Sequence, residues 1–209
     1  MVERKTKALV DAGLVEESST THGFAATTVL PSKKDAEGKT VDWRMCGDYR
    51  ALHAATVSDR YVMPTPEEIF DNVGEAQMFS TLDLRQGFHQ IPMHPDHRHK
   101  TAFWAGSQLM EWAFMPFGLK NAPSKFQRVM DGALQGLPFA RCYIDDILIY
   151  SPSFEEHLAH LTKVFECLER VNLTCHPGKC VFAVKEVMYL GHLLRPRKLA
   201  SQEAKVRAI

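Results

Sequence analysis

The amino-acid sequence predicts an α+β fold in which antiparallel strand pairs and helices alternate irregularly. Its 209 residues are 45% hydrophobic and 24% charged, which is the average composition of a folded globular chain. Several strand-like runs are separated by short polar segments, as in antiparallel hairpins. Helices with clear start signals stand between these hairpins and not after every strand, so the pattern disfavours a doubly wound parallel sheet.

The first half of the chain contains two predicted hairpins and one short helix. Thr65 is followed by Pro66 and Glu68, which is typical of a helix N-terminus closed by a capping box. The polar run PSKKDAEGKTVD separates two apolar segments and predicts the loop of the first hairpin. In chain order, the predicted elements are a loop over 31–42 with a strand on either side, a helix from Thr65 to near Gly74, a strand over 79–84, and strands within 100–104 and 109–115.

The second half contains two amphipathic helices and further strands. The first helix opens at Pro123, and the second has Ser153 and Glu156 as its capping pair. Helical spacing predicts buried faces formed by Phe126, Val129, Met130, Ala133 and Leu134 in the first helix and by Leu158, Leu161, Phe165 and Leu168 in the second. The tail 181–194 predicts two more strands that meet near Val184–Glu186.

Charge and cysteine content limit the partners and the environment that we expect. The 25 basic and 25 acidic side chains cancel, so affinity for nucleic acid would have to come from local clustering. The five scattered cysteines are an odd number, and the N-terminus is unlike a signal peptide, which favours reduced thiols in an intracellular compartment, cytoplasmic or nuclear. No apolar run approaches the roughly 20 residues of a membrane span, so we expect no membrane partner.

Three aspartates in apolar surroundings are candidates for metal binding. Asp145 and Asp146 are adjacent and flanked on both sides by apolar β-formers, and Asp83 ends the run FSTLDL. Buried carboxylates are costly unless they are paired or bind a cation, and an all-oxygen site suits Mg²⁺. The alternative is a surface hairpin in which the two adjacent aspartates only favour the turn. Sequence spacing leaves open whether Asp83 lies beside them.

The chain also contains a series of motifs in a fixed order. They are AGLVEESSTTHGFAATTVLPSKKD, WRMCGDYRALH, FSTLDLRQGFHQIPM, KTAFW, FMPFGLKNAPSKFQRVMD, YIDDILIYS and YLGHLL. This series resembles the reverse transcriptases of gypsy-type long-terminal-repeat retroelements over nearly the whole chain. One departure is Gly47, where that family usually has a branched apolar residue, and we expect the glycine to loosen its strand slightly.

The resemblance implies a right-handed polymerase fold, represented by its fingers and palm, with an antiparallel palm sheet packed on helices and the thumb missing. The expected division is fingers over 1–57, palm over 58–90, fingers over 91–121, palm over 122–195 and the truncated start of a thumb over 196–209, all within one reverse transcriptase domain. The resemblance also implies a retrotransposon polyprotein, whose RNase H and integrase domains we expect as partners absent from this chain.

The resemblance assigns roles to individual residues. Asp83, Asp145 and Asp146 match the aspartates that hold two Mg²⁺ ions, which Mn²⁺ could replace. Lys179 lies near the position of a proposed general acid, with a solvent-facing lysine as the alternative. The residues matched to the nucleotide site are Lys33 or its neighbour Lys34 and Arg44 at the triphosphate, Phe88 beneath the sugar, and Phe117 and Gly118 in the loop that lines the pocket. The residues matched to the primer grip are Tyr189, Leu190, Gly191 and His192.

The activity implied is that of an RNA-directed DNA polymerase, which joins a dNTP to the 3′-hydroxyl of a primer on an RNA or DNA template. A first alternative is a decayed or domesticated fragment that binds nucleic acid or a partner without chemistry. The intact aspartates argue against it, and the missing thumb argues for it. A second alternative is another metal-dependent phosphoryl transferase such as a nuclease, against which the KTAFW and PFGLKNAP motifs argue.

Overall fold

The computed structural model describes residues 2–20, 24–34, 37–43, 45–196 and 198–201. The α-helices are α1 (Val2–Asp11), α2 (Arg50–Ala55), α3 (Pro66–Asp71), α4 (Pro95–Arg98), α5 (Ala122–Ala133) and α6 (Phe154–Arg170). The strands are β1 (Val15–Glu17), β2 (Thr27–Val29), β3 (Ser32–Lys34), β4 (Thr40–Trp43), β5 (Cys46–Asp48), β6 (Met78–Asp83), β7 (Phe103–Ala105), β8 (Gln108–Trp112), β9 (Ala140–Tyr143), β10 (Asp146–Ser151), β11 (Val181–Val184), β12 (Val187–Tyr189), β13 (His192–Arg195) and β14 (Lys198–Ser201). These strands pair antiparallel within their sheets, which confirms the predicted α+β class.

The chain forms two compact units and crosses between them three times. Unit 1 comprises Met1–Asp59 and Gln86–Pro123, and unit 2 comprises Arg60–Arg85 and Ser124–Ile209. The names fingers and palm for these parts of the chain stay predictions. None of the described helices combines the length and the apolar character needed to cross a membrane.

Unit 1 contains three small antiparallel sheets, β1-β8-β7, β2-β5 and β3-β4, in the described residues. Its core consists of Val15, Ala26, Met45, Tyr49, Phe103, Ala105, Met110 and Trp112. The predicted hairpin over 100–104 and 109–115 is confirmed as β7 and β8, which are joined at Gly106 with a left-handed φ of 66°. The loop predicted over 31–42 is too long, because it includes β3 and all of β4 except Trp43, and the two strands pair from Ser32 opposite Trp43. The β-forming residues of β4 explain this extension.

Gly47 has a packing role in unit 1 that the sequence did not indicate. A Cβ atom at this position would lie 2.5 Å from the ring Cζ of Tyr49. The Tyr49 side chain is buried, and its hydroxyl donates a hydrogen bond to the carbonyl of Thr101 at 3.2 Å. The missing side chain therefore makes room for a core tyrosine, whereas we expected it only to loosen the strand.

Unit 2 is organised around a four-stranded sheet of order β11-β6-β10-β9. Residues alternate between the two faces of each strand. On one face, Phe79, Leu148 and Tyr150 pack in a core with Ile69 of α3 and with residues of β12 and β13. Helix α6 contacts β10 and β6 and brings His157 against Ser80 and Ser151, which alternation places on the opposite face. Both central strands are therefore held between two packed layers.

The helix start signals of unit 2 are confirmed, but one predicted helix face is wrong. The Thr65 side chain accepts a hydrogen bond from the amide of Glu68 at 3.2 Å, and the Glu68 carboxylate accepts one from the amide of Thr65 at 2.8 Å, which closes the capping box of α3. In α6, the predicted core residues Leu158 and Phe165 are 50% and 40% exposed. The buried residues of α6 are His157, Leu161, Val164, Cys167 and Leu168. The face is rotated because His157 finds hydroxyl partners on the sheet.

The tail of unit 2 contains three described strands over 181–195, where we predicted two. Strand β11 pairs with β6 and ends at Val184, and β12 begins at Val187. Strands β12 and β13 then form a separate hairpin around Leu190 and Gly191. The prediction failed because that two-residue turn is too short to interrupt the apolar pattern visibly.

Candidate active site

Asp83 and Asp146 lie directly opposite each other at the end of the central strand pair. The ladder pairs Asp146 with Asp83 and Ile147 with Leu82. One position further, the amide of Leu84 donates to the carbonyl of Asp145 at 3.3 Å. Antiparallel pairs alternate between bonded and non-bonded, so Asp83 and Asp146 form a non-hydrogen-bonded pair, in which Cα atoms are about 4.5 Å apart and side chains share one face. The fold thus brings together carboxylates that are far apart in sequence.

Asp145 occupies a strained two-residue turn between β9 and β10. Tyr143 pairs with Asp146, which leaves Ile144 and Asp145 as the turn. Ile144 has a φ of 58°, whereas the φ of Asp145 is not positive. This is the φ pattern of a type II′ turn, which normally has glycine in the first position. A β-branched residue in the left-handed region is a genuine outlier and needs support from its surroundings.

Gln127 of α5 supplies this support, and the sequence prediction missed it. The side-chain oxygen of Gln127 accepts a hydrogen bond from the amide of Ile144 at 2.7 Å. Its amide nitrogen donates to the carbonyl of Cys142 at 3.0 Å and to Asp131 at 2.9 Å. The side chain is fully buried. The available signal was a polar residue directly after Phe126, inside the apolar face of the helix.

The carboxylates themselves are less buried than we predicted. Asp146 is exposed, and Asp83 and Asp145 are partly exposed, while the apolar residues Ile147 and Leu148 are fully buried. The prediction failed because the acids lie at the end of the strands and only the strands continue into the core. Protein around the carboxylates still removes part of their hydration.

The electrostatic environment raises the pKa of both turn aspartates. For Asp146, partial loss of hydration and repulsion from Asp145 and Asp83 raise the pKa to about 6. For Asp145, the same loss of hydration and the negative charge of Asp83 raise the pKa, and Lys179 opposes this effect. The cluster of three carboxylates therefore has an excess of negative charge at neutral pH.

Lys179 provides one cation to this cluster. It ends a 3₁₀ turn, Pro177–Lys179, and its Nζ lies 3.0 Å from each carboxylate oxygen of Asp83. In the described part of the chain, no three His, Cys, Asp or Glu side chains are already arranged around a metal position. The carboxylate oxygens nevertheless suit a hard divalent cation. A cation would relieve the mutual repulsion of the carboxylates, and Asp83 already binds the ammonium of Lys179.

The predicted primer-grip residues lie in the hairpin of β12 and β13. Leu190 and Gly191 have φ values of 47° and 79° and form the two-residue turn between Tyr189 and His192. The Tyr189 hydroxyl donates to the carbonyl of Asp146 at 2.9 Å. The ring of Phe70 packs against both Tyr189 and His192, with centroids 6.3 and 4.9 Å away. This hairpin is thus bonded directly to the carboxylate-bearing strand.

Unit 1 contains the predicted nucleotide-site residues, among them Phe88, Phe117 and Gly118. Phe88 lies in a 3₁₀ helix, Gly87–Gln90, and its ring centroid is 5.3 Å from that of Phe117. Gly118 has a left-handed φ of 96°, and a Cβ atom there would lie 3.4 Å from the carbonyl oxygen of Gly47. The structure therefore brings Phe88 and Phe117 together and explains the glycine beside Phe117.

The predicted triphosphate contacts are only partly described. Lys33 and Lys34 belong to β3, but their side chains lie outside the described part of the structure. Arg44 lies outside the described residues altogether. The choice between Lys33 and Lys34 therefore stays open.

Comparison with known proteins identifies the class to which this fold and these carboxylates belong. Residues 32–194 match the family model described as reverse transcriptase (RNA-dependent DNA polymerase). The chain is 41% identical over 210 residues to the retrovirus-related Pol polyprotein from transposon 297 of Drosophila melanogaster, and 34% identical to that from transposon gypsy of the same organism. Each alignment covers 100% of this chain and 20% of the relative. The chain thus spans about a fifth of the length of these relatives.

Solved structures of reverse transcriptases have the same fold as this chain. The foamy viral protease-reverse transcriptase in complex with double-stranded DNA superimposes with a TM-score of 0.86 at 26% identity, over 100% of this chain and 43% of that chain. The same enzyme in complex with an RNA/DNA hybrid gives a TM-score of 0.86 at 25% identity, over 99% of this chain and 27% of that one. The chain belongs to the reverse transcriptase family, and the predicted resemblance to gypsy-type elements is confirmed.

Proposed function

We propose that this chain performs the polymerase chemistry of a retrotransposon reverse transcriptase. It would transfer a nucleotide from a dNTP to the 3′-hydroxyl of a primer paired to an RNA or DNA template. The observation that carries this proposal is the pairing of Asp83 with Asp146 beside the turn that holds Asp145, in a chain of the reverse transcriptase family. RNase H and integrase are the proposed neighbours in a polyprotein such as those of the transposon relatives.

The carboxylates of Asp83, Asp145 and Asp146 are the proposed ligands of two divalent cations, preferably Mg²⁺. Support comes from their chemistry, since oxygen ligands suit Mg²⁺, and from the raised pKa values of both turn aspartates. When bound, the cations would supply positive charge that favours ionisation of the 3′-hydroxyl and stabilises the charge on the α-phosphate and the leaving pyrophosphate. The protein contributes the rigid strand pair and the braced turn that position the three carboxylates.

Lys179 is the proposed general acid. During the reaction, the 3′-oxygen would bond to the α-phosphorus, the bond from that phosphorus to the pyrophosphate oxygen would break, and the proton of the 3′-hydroxyl would pass to solvent water. The departing pyrophosphate needs a proton or a cation to neutralise its new charge. The ammonium of Lys179, 3.0 Å from Asp83, is a donor that the structure holds at the carboxylate cluster.

Phe88, Phe117 and Gly118 are proposed to form the wall of the nucleotide pocket. The packing of the two phenylalanine rings and the close approach allowed by the glycine support a rigid wall. A steric wall is an efficient way to reject a ribose, because attraction alone separates a group poorly from a slightly larger one. Phe88→Val should therefore raise the ratio of rNTP to dNTP incorporation by about tenfold, which competing single-nucleotide extensions would measure. Lys33 or Lys34 and Arg44 are proposed to bind the triphosphate.

Tyr189, Leu190, Gly191 and His192 are proposed to hold the primer end. Support comes from the hydrogen bond between the Tyr189 hydroxyl and the carbonyl of Asp146, which ties this turn to a carboxylate-bearing residue. A primer held here would keep a defined position relative to the strand β10.

Primer extension on poly(rA)·oligo(dT) with Mg²⁺ tests the proposed function. The chain should add dTMP residues, and Asp145→Asn should abolish the addition without unfolding the protein. Glu155→Gln is the matched control, because it removes one negative charge from an exposed position in the first turn of α6. Template binding without extension would instead support the non-catalytic alternative, and shortening of the labelled primer would support a nuclease.

A further inference from the structure

A fully buried imidazole lies behind the strands that carry the carboxylates. His157 of α6 is 0% exposed. Its Nε2 lies 2.7 Å from the hydroxyl of Ser80 in β6, and its Nδ1 lies 2.8 Å from the hydroxyl of Ser151 in β10. One side chain therefore links the two strands that hold Asp83 and Asp146.

The same cluster reaches a third strand through a backbone irregularity. Ala183 of β11 has a φ of 50°, and the register of β11 against β6 shifts between Val181 and Val184. Such a bulge leaves a residue unpaired in the ladder. The amide of Ala183 donates instead to the hydroxyl of Ser80 at 2.9 Å. Ser80 thus connects β11, which directly follows the turn bearing Lys179, to the imidazole.

One proton assignment satisfies every hydroxyl in this cluster. Since Ser80 accepts from Ala183, its own proton can go to Nε2 of His157, and Nδ1 then carries the ring proton and donates to Ser151. In this assignment the hydroxyl of Ser151 can donate to Nδ1 of His160, which lies 2.7 Å away. Burial lowers the pKa of His157, which agrees with a neutral ring. The cluster is therefore directional and fully bonded.

The cluster and the carboxylates occupy opposite faces of the same sheet. Ser80 and Asp83 are separated by an odd number of positions in β6, so their side chains point to opposite faces. A leucine or phenylalanine at position 157 would avoid burying an imidazole, but it would leave the buried hydroxyls of Ser80 and Ser151 without this hydrogen-bond partner. A bonded imidazole adds directionality that apolar packing lacks.

We propose that His157 is a positioning residue: through Ser80 and Ser151 it fixes β6 against β10 and β11, and so keeps Asp83 opposite Asp146 and within reach of Lys179. The catalytic consequence rests on the proposed polymerase function, whereas the effect on strand pairing does not. His157 touches neither substrate nor metal ligand in this scheme.

The experiment compares His157→Phe with Leu161→Ala. Phenylalanine fills the site but forms neither hydrogen bond, and Leu161 is buried one turn further along α6 without a polar partner in the cluster. Amide hydrogen exchange is followed at Leu84, which donates to Asp145 beside the carboxylates, and at Val164 in the centre of α6. His157→Phe should speed exchange at Leu84 about tenfold more than at Val164. The control should affect both amides equally, as a loss of global stability does.

The Mg²⁺ concentration for half-maximal primer extension provides the catalytic readout. It should rise in His157→Phe and stay unchanged in Leu161→Ala, because only the first change releases the carboxylate-bearing strands. If His157→Phe does not fold, Ser80→Ala is used in its place. This variant removes the hydrogen bond between His157 and β6 and the hydrogen bond from the amide of Ala183. Equal acceleration at both amides would overturn the proposal. A selective effect at Leu84 in a chain without polymerase activity would support the positioning of β6 and refute only the proposed function.

Discussion

Two hairpins of unit 2 are closed by two-residue turns of opposite character. The turn between β12 and β13 has positive φ at both Leu190 and Gly191, the pattern of a type I′ turn, and its second residue is a glycine. The turn between β9 and β10 has a positive φ at Ile144, which is β-branched, followed by Asp145. The first turn has a glycine at one of its two positive-φ positions, whereas the second has no glycine and has a β-branched residue at its positive-φ position.

The difference shows where this fold tolerates strain. The Ile144 turn is held by a buried side chain from another element, since Gln127 bonds the amide of Ile144 and the carbonyl of Cys142. The Leu190 turn has a glycine at the second of its two positive-φ positions. Strained residues cluster at functional sites and persist only where their surroundings over-determine them. The strained turn here is the one that presents Asp145 and Asp146.

Among the predictions that compare the two turns, the largest effect is expected from removing the Gln127 side chain that supports the strained turn. Gln127→Met keeps the length of the side chain but removes the hydrogen bonds to Ile144 and Cys142. We expect nucleotide incorporation to fall about a hundredfold, as small misplacements of reacting groups do, with a lower melting temperature because backbone groups of the turn lose a buried partner. Single-turnover incorporation and calorimetry measure the two effects. Full activity in a folded variant would show that the turn needs no brace.

A smaller effect should follow from relaxing the turn itself. Ile144→Gly removes the side chain that opposes a positive φ, while the added freedom of the unfolded chain offsets part of the gain. We therefore expect a small change in melting temperature and a fall in incorporation of about tenfold, because the turn would no longer be confined to one conformation. A large loss of stability with unchanged incorporation would contradict the view that the strain serves the site.

Divalent cations should stabilise the chain in a pH-dependent way that depends on the carboxylate turn. The pKa of Asp146 is about 6 in the folded chain against 3.8 without perturbation. The folded chain therefore binds more protons than the unfolded chain between these values, so stability falls as the pH rises through about 6. Mg²⁺ should offset this loss, by about 1.4 kcal/mol at ten times its Kd.

The melting temperature with and without Mg²⁺ tests this at two pH values. The increase should be present at pH ~7.5, absent at pH ~4.5 where the group is largely protonated, and absent at both in Asp146→Asn. An equal increase in that variant would place the cation elsewhere on the chain.

The smallest effect should come from a change in the turn between β12 and β13. Gly191→Ala puts a Cβ atom on a residue with a φ of 79°, which should destabilise the fold by about 1 kcal/mol. Incorporation should fall less than in Ile144→Gly, because this turn is proposed to hold the primer end but carries no carboxylate. Denaturant unfolding together with primer titration measures both quantities. A loss of incorporation as large as that of Ile144→Gly would contradict the proposed difference between the two turns.

The sequence predicted those features whose cause is local. The capping box of Thr65 and Glu68 and the start of α5 were predictable because a few neighbouring residues determine them. Asp145 and Asp146 stood out because charged residues interrupt an apolar run. The order of the motifs along the chain indicated the reverse transcriptase family, which no single local sequence pattern identifies.

The features that sequence reasoning missed depend on partners far away in the chain. Lys179 and Asp83 are 96 positions apart and meet only because β11 pairs with β6. The buried face of α6 was wrong because His157 has its partners on β6 and β10, whereas apolar periodicity favoured Leu158. Gln127 was missed because its role depends on the backbone of a turn that follows the helix.

The ion pair between Lys179 and Asp83 has a consequence for how the chain meets its metal. Small metal-dependent domains unfold when a chelator removes their ion, because metal binding supplies their folding energy. In this chain an ammonium already sits on one carboxylate, 3.0 Å from each oxygen, so a chelated preparation should stay folded. Under the proposed function, loading with divalent ions would be a cation exchange that releases Lys179 from Asp83. The released ammonium is the group proposed to protonate pyrophosphate, so binding of the metal ions and release of the general acid would occur in the same step.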